Sequence, residues 1–141
     1  MRARSRVGWL AVWAVAFGLL EGAVVTYLRR LFYAGAPLDG PLFPLRVVAG
    51  PVLATEFARE AATLVMLLGV AMLAERRASR RFAAFAFSFG IWDLMYYVML
   101  ECCLKWPRSL FEWDILFLIP APWAAPVLAP VLVSVALVGC S

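Results

Sequence analysis

Apolar residues run almost unbroken through four stretches of the chain, at about residues 7–28, 47–74, 82–104 and 110–138. Each is long enough for a membrane-crossing helix, which needs roughly 20 apolar residues. Between the first two lies "RRLFYAGAPLDGPLFPLR", rich in Gly and Pro and therefore turn-like. The second and third are separated by "ERRASRR", with four arginines in seven residues. "KWPRSLFEWD" is a short interfacial connection into the fourth, in which Pro107 and Ser109 suit a helix start. The last stretch holds Pro120, Pro122, Pro126 and Pro130, which predict a kinked span or a short half-helix followed by a span. A broken helix of that kind can line a cavity with its freed carbonyls. The pattern therefore predicts an all-α integral membrane protein, a four-span helical bundle forming one polytopic domain over residues 1–141.

Composition points the same way. Of 141 residues, 65% are hydrophobic and 16% charged, whereas a soluble domain is nearer half apolar and a quarter charged. The mean hydropathy is +0.89. The basic start and the apolar run after it resemble a signal peptide, with Ala14-Val15-Ala16 as a cleavage site, but the run continues well beyond that point and reads as a retained first span.

The net charge of +4 resides in arginines at the ends of apolar runs, where they orient helices. It implies no nucleic-acid partner. Arg2, Arg4 and Arg6 precede the first span, and Arg76, Arg77, Arg80 and Arg81 follow the second. With four spans these two groups share a side. The positive-inside rule makes that side cytoplasmic and places both termini inside the inner (plasma) membrane. Arg29, Arg30, Arg46, Lys105 and Arg108 then face out, and Trp106, Trp113 and Trp123 suit the outer interface. The partners expected are membrane lipids, and either further copies of the chain or other subunits of a membrane complex.

Several chemistries drop out. There is no histidine, which removes Ser-His-Asp and Cys-His nucleophiles and the usual zinc and di-iron ligand sets. Cys102, Cys103 and Cys140 form no CxxC pair. They read as small apolar fillers, with a soft-metal or redox role for Cys102 and Cys103 as the alternative. Gly18-x-x-x-Gly22 matches the small-xxx-small pattern of close helix contacts.

The informative residues are charges inside apolar runs. In the second span Glu56, Glu60 and Thr63 share one helical face, with Arg59 on its flank. Glu21 lies in the first span, Asp93 in the third with Tyr96 and Tyr97 a turn later, and Asp114 opens the fourth. Glu101 and Glu112 fall near the interface. A charge at mid-bilayer costs about 2.5–3.5 kcal/mol. Several facing lipid singly would exceed a small protein's whole stability, about 5–15 kcal/mol. They are therefore expected to face one another, water or a cation in a shared pocket near the outer side. Arg59 can neutralise one or two carboxylates through its fork, and Arg29, two turns from Glu21, another. Trp92 and Trp113, each preceding an aspartate, are candidate pocket walls.

The surplus of acid over base has three outcomes: protonation, water, or a bound cation. All-oxygen ligands favour Mg²⁺, Ca²⁺, Mn²⁺, Na⁺ or protons. Glu56, Glu60 and Asp93 are then the binding groups, with Glu21 and Asp114 at the entrance and Arg59 and Arg29 as counter-ions. The other reading of Glu56, Arg59 and Glu60 is a salt-bridge network that fixes helix register.

Three functions fit. The first is cation or proton binding, or cation-coupled transport. The second is a metal-dependent enzyme acting on a lipid-linked substrate, with Arg59 or Arg29 clamping a phosphoryl group. The third is a non-catalytic subunit of a membrane complex. In size, four-span plan and first-span glutamate Glu21, the chain loosely resembles the small multidrug-resistance transporters. It departs from them in its additional charges and its long proline-rich last span, and no further motif matches.

Overall fold

The structure, a computed structural model, describes residues 3–32 and 50–141. Residues 47–49 of the expected second span, and the expected topology signals Arg2 and Arg46, lie outside the described residues, as does the side chain of Arg4. Helices α1 (Ala3–Phe32), α2 (Gly50–Ala74) and α3 (Ala78–Leu104) are followed by strands β1 (Trp113–Phe117) and β2 (Trp123–Pro126) and by helix α4 (Leu128–Cys140). The first three helices are each long and apolar enough to cross a membrane.

Their outward faces suit hydrocarbon. Val65, Leu68 and Leu73 on α2 are 67%, 52% and 89% exposed, and Val7, Trp9 and Leu20 on α1 are similarly open. Water-soluble monomers rarely present so continuous an apolar exterior. The fold is thus a helical bundle of three long apolar helices and a shorter fourth.

Contacts fix the directions. Leu10 of α1 packs with Ala84 of α3, while Gly18 lies against Trp92 and Gly22 against Met99, so α1 and α3 run parallel. The glycine pair permits this approach. A Cβ on Gly18 would sit 2.8 Å from Met95 Cβ, and one on Gly22 2.6 Å from Met99 Cβ. α2 is antiparallel to both, with Ala71 beside Ala84 and Leu67 beside Trp92. α4 runs back along α3, with Val131 near Leu100 and Ser134 against Gly90.

One end of the bundle is basic. There Arg6 of α1 donates to the Ala74 carbonyl and Glu75, and Arg81 of α3 donates to the Glu75 carbonyl. These arginines satisfy carbonyls that the end of α2 leaves without helical partners.

The expected fourth span takes a different form. Residues 110–127 are neither a kinked span nor a half-helix. β1 and β2 form an antiparallel hairpin, with Asp114 opposite Ala125 and Phe117 opposite Trp123. Proline explains the change. Pro120 and Pro122 lack the N–H that a helix needs, and Pro120 drives Ile119 out of helical geometry. Pro130 falls in the first turn of α4, where that missing N–H costs nothing. α4 has 13 residues, about 20 Å at helical rise, against roughly 30 Å of hydrocarbon.

The hairpin does not cap the bundle from outside. Asp114 meets Tyr97, and Phe117 reaches Trp92 and Phe89 near the middle of α3. The strand therefore runs down into the bundle and returns. Beyond it, the N–H groups of Val127 and Leu128 bond back to the carbonyls of Glu112 and Leu110, closing its base.

Candidate functional site

The hairpin, α2, α3 and α4 enclose a cavity of about 370 Å³ that Glu21 of α1 also reaches. α3 presents one helical stripe to it: Phe89, Trp92, Asp93, Tyr96 and Tyr97. Residues three, four and seven apart share a face, so the tyrosines and the aspartate arrive together. α2 adds Glu60, Arg59 and Thr63, and α4 adds Pro130 and Ser134 among others. Asp114, Phe117 and Trp123 come from the hairpin. Four of the five expected acids therefore line a single space: Glu21, Glu60, Asp93 and Asp114.

Glu56 does not line the cavity. Its carboxylate accepts from Arg59 at 2.9 Å (Nε) and 2.8 Å (Nη2), one helical turn on. Arg59 also pairs through Nη1 with Glu21, whose other oxygen accepts from Thr63 at 2.9 Å. One guanidinium thus bridges two carboxylates and ties α1 to α2. Arg59 uses both sides of its fork.

The other acids are held by neutral donors. Asp93 accepts from the Ser134 hydroxyl at 2.8 Å. Asp114 accepts from the Tyr97 hydroxyl at 3.0 Å and from its neighbour's N–H, that of Ile115, at 2.9 Å. Glu60 accepts from the Leu118 N–H at the hairpin turn, 2.8 Å away. None of the three forms an ion pair among the described residues. All three are buried, at 8%, 3% and 9% exposure. An interior backbone N–H requires an acceptor, so Glu60 has a structural duty that its spacing along α2 does not reveal.

Two expected placements need correction. Arg29 does not pair with Glu21, which Arg59 already occupies. Its guanidinium instead lies 3.9 Å above the Trp106 ring. Lys105 ends α3 in the left-handed conformation (φ 55°) and turns the chain there, and Trp106 is fully buried beneath Arg29. Trp113 is not a cavity wall. It is 53% exposed, and the hairpin wall is made by Phe117 and Trp123. Trp92 does line the cavity, packed between Phe89 and Tyr96 at ring separations of 5.3 and 6.5 Å.

Phe117 and Trp123 are the residues that sequence reasoning missed as walls. Both lie in a segment read as helix, and neither "WDILF" nor "WAAP" carries a period-two pattern that marks a strand. The cysteines lie elsewhere: Cys102, Cys103 and Cys140 are unbridged, and Cys103 rests on the Met99 sulfur.

Among the described residues, no group of three or more acidic or cysteine side chains is gathered closely enough to hold a metal ion. The cavity acids share a space without converging on one point. No protein-family model, curated protein or solved structure matches the chain.

Proposed function

We propose that the protein is an integral membrane protein that binds a cation in this cavity and couples its passage to proton exchange. One observation carries the reading: three buried carboxylates, Glu60, Asp93 and Asp114, line one cavity and accept hydrogen bonds only from neutral donors among the described residues. Leaving three charges unpaired in a low-dielectric interior is costly, and an ion or protons remove that cost. Cation and proton therefore compete for the same oxygens, which is the elementary requirement for exchange.

The membrane placement rests on the apolar exterior and on arginine position. The basic end is assigned to the cytoplasm of the inner (plasma) membrane and the hairpin end to the outside. In that setting the hairpin is a re-entrant segment. Irregular backbone at membrane depth is tolerated where it is buried in protein or lines a cavity, and this hairpin does both. The N-terminus is inside, and α4 heads back toward the same side.

The test is proton release from proteoliposomes carrying an internal pH dye. External Na⁺, K⁺, Mg²⁺, Ca²⁺ or tetramethylammonium is added in turn. At least one is expected to drive proton release in wild type, with loss in Asp93→Asn. Release equal in wild type, Asp93→Asn and protein-free vesicles would refute the proposal.

A further inference from the structure

Resting on that cation reading, we infer that the cavity's ligand is a linear organic polyamine carrying more than one ammonium group. A cavity of about 370 Å³ corresponds to roughly a dozen waters at about 30 Å³ each. That is small-molecule size, far more than a bare ion fills. A metal ion gathers its ligands around one point, and the described acids offer no such group of three. The unpaired carboxylates instead come from three separate elements, α2, α3 and β1. A single ammonium reaches one of them. Several ammonium groups joined by short alkyl chains place a positive charge at more than one.

The walls between the carboxylates suit such a chain. Phe89, Trp92, Tyr96, Phe117 and Trp123 form a connected set of rings, with Phe117 at 6.3 Å from Phe89, 6.4 Å from Trp92 and 6.3 Å from Trp123. Aromatic faces attract ammonium groups and bury methylenes. Trp92 supplies an independent sign of a missing partner. It lines the cavity at 7% exposure, and its indole N–H is buried with no acceptor among the described residues. An interior amine of a triamine, between two charged ends, gives up its proton most readily because like charges repel. That proton leaves to solvent with those of two carboxyls, and the remaining carboxyl keeps its own. The freed nitrogen lone pair then accepts from Trp92, and the two end ammonium groups face the other two carboxylates. The charges of ligand and cavity then balance.

The test uses the full chain in mild detergent, titrated separately with spermidine, 1,4-diaminobutane, n-butylamine and MgCl₂. Tryptophan fluorescence and thermal unfolding are followed, since Trp92 and Trp123 report on the cavity. Spermidine is expected to act at a concentration at least tenfold lower than n-butylamine, with the diamine between them. Asp93→Asn is expected to weaken spermidine by at least tenfold. Trp123→Leu, at a half-exposed wall position where misfolding is least expected, should weaken it by several-fold while circular dichroism stays unchanged. Equal potency of spermidine and n-butylamine, or a spermidine response unchanged in Asp93→Asn, overturns the inference. A response to MgCl₂ with the amines inert overturns the ligand class while leaving the cation reading intact. Failure of that wider reading is seen separately, as absent proton release in the vesicle assay.

Discussion

Two groups of acids sit a few residues apart and are treated differently by the fold. At the α1–α2 junction, Glu21 and Glu56 share Arg59, and Thr63 fills a further position on Glu21. Across the cavity, Glu60, Asp93 and Asp114 are held by two backbone N–H groups and two hydroxyls, with no ion pair among the described residues. The first group has a cation of its own, shared between two carboxylates, and can serve as helix-to-helix glue. The second is held in place yet electrically unfinished. Glu56 and Glu60 are one turn apart on the same helix and fall on opposite sides of this division, so sequence proximity does not decide which acids act together.

The largest expected effect comes from removing the shared cation. Arg59→Gln leaves Glu21 and Glu56 without a counter-charge, and breaking a buried pair on one side costs about 3–5 kcal/mol. Denaturation in detergent micelles should show a loss in that range, with α1 and α2 separating first in hydrogen exchange. Next is the hairpin latch. Glu60→Leu leaves the Leu118 N–H without its acceptor, a loss of about 1–3 kcal/mol. Glu60→Gln keeps an acceptor oxygen and should retain most of that stability in the same denaturation series. A cost as large for Gln as for Leu would move the effect from the hydrogen bond to the charge.

Smaller changes probe the cavity alone. Tyr97→Phe removes the hydroxyl that donates to Asp114 and should cost about 1 kcal/mol, as loss of a single hydrogen bond does. Asp93→Asn keeps an acceptor for Ser134 and discards a charge that has no cation beside it. Its stability should hold or rise, within about 1 kcal/mol. The contrast between Arg59→Gln and Asp93→Asn is the sharpest expression of the division: a carboxylate pair stripped of its guanidinium loses stability, whereas a neutralised cavity acid does not.

Much of the bundle was legible in the chain. Three helices follow from long apolar runs, with ends within a few residues of the expected limits: 3–32 for 7–28, 50–74 for 47–74 and 78–104 for 82–104. Gly18 and Gly22 mark a real close approach, whereas Gly69 faces open space, a distinction that spacing alone does not draw. The sharing of one space by Glu21, Glu60, Asp93 and Asp114 was expected from the cost each would incur if it faced lipid singly. The hairpin was hidden because its apolar content equals that of a span. The proline spacing excluded a regular helix without naming what replaces it. The position of Arg29 depended on the turn at Lys105, which swings Trp106 under the guanidinium, and helix periodicity carries no information about that turn.

The most direct measurement is carboxyl labelling by a hydrophobic carbodiimide, which modifies protonated buried acids, read residue by residue by peptide mass spectrometry with and without spermidine. Glu60, Asp93 and Asp114 should label in the free protein; on adding the amine the two that face its end ammonium groups should lose that labelling while the third, which holds a proton in the complex, keeps it, and Glu21, paired with Arg59, labels little in either state. Labelling of Glu21 and Asp93 to the same extent, or protection of one cavity acid while the other two stay reactive, would contradict a shared cation cavity.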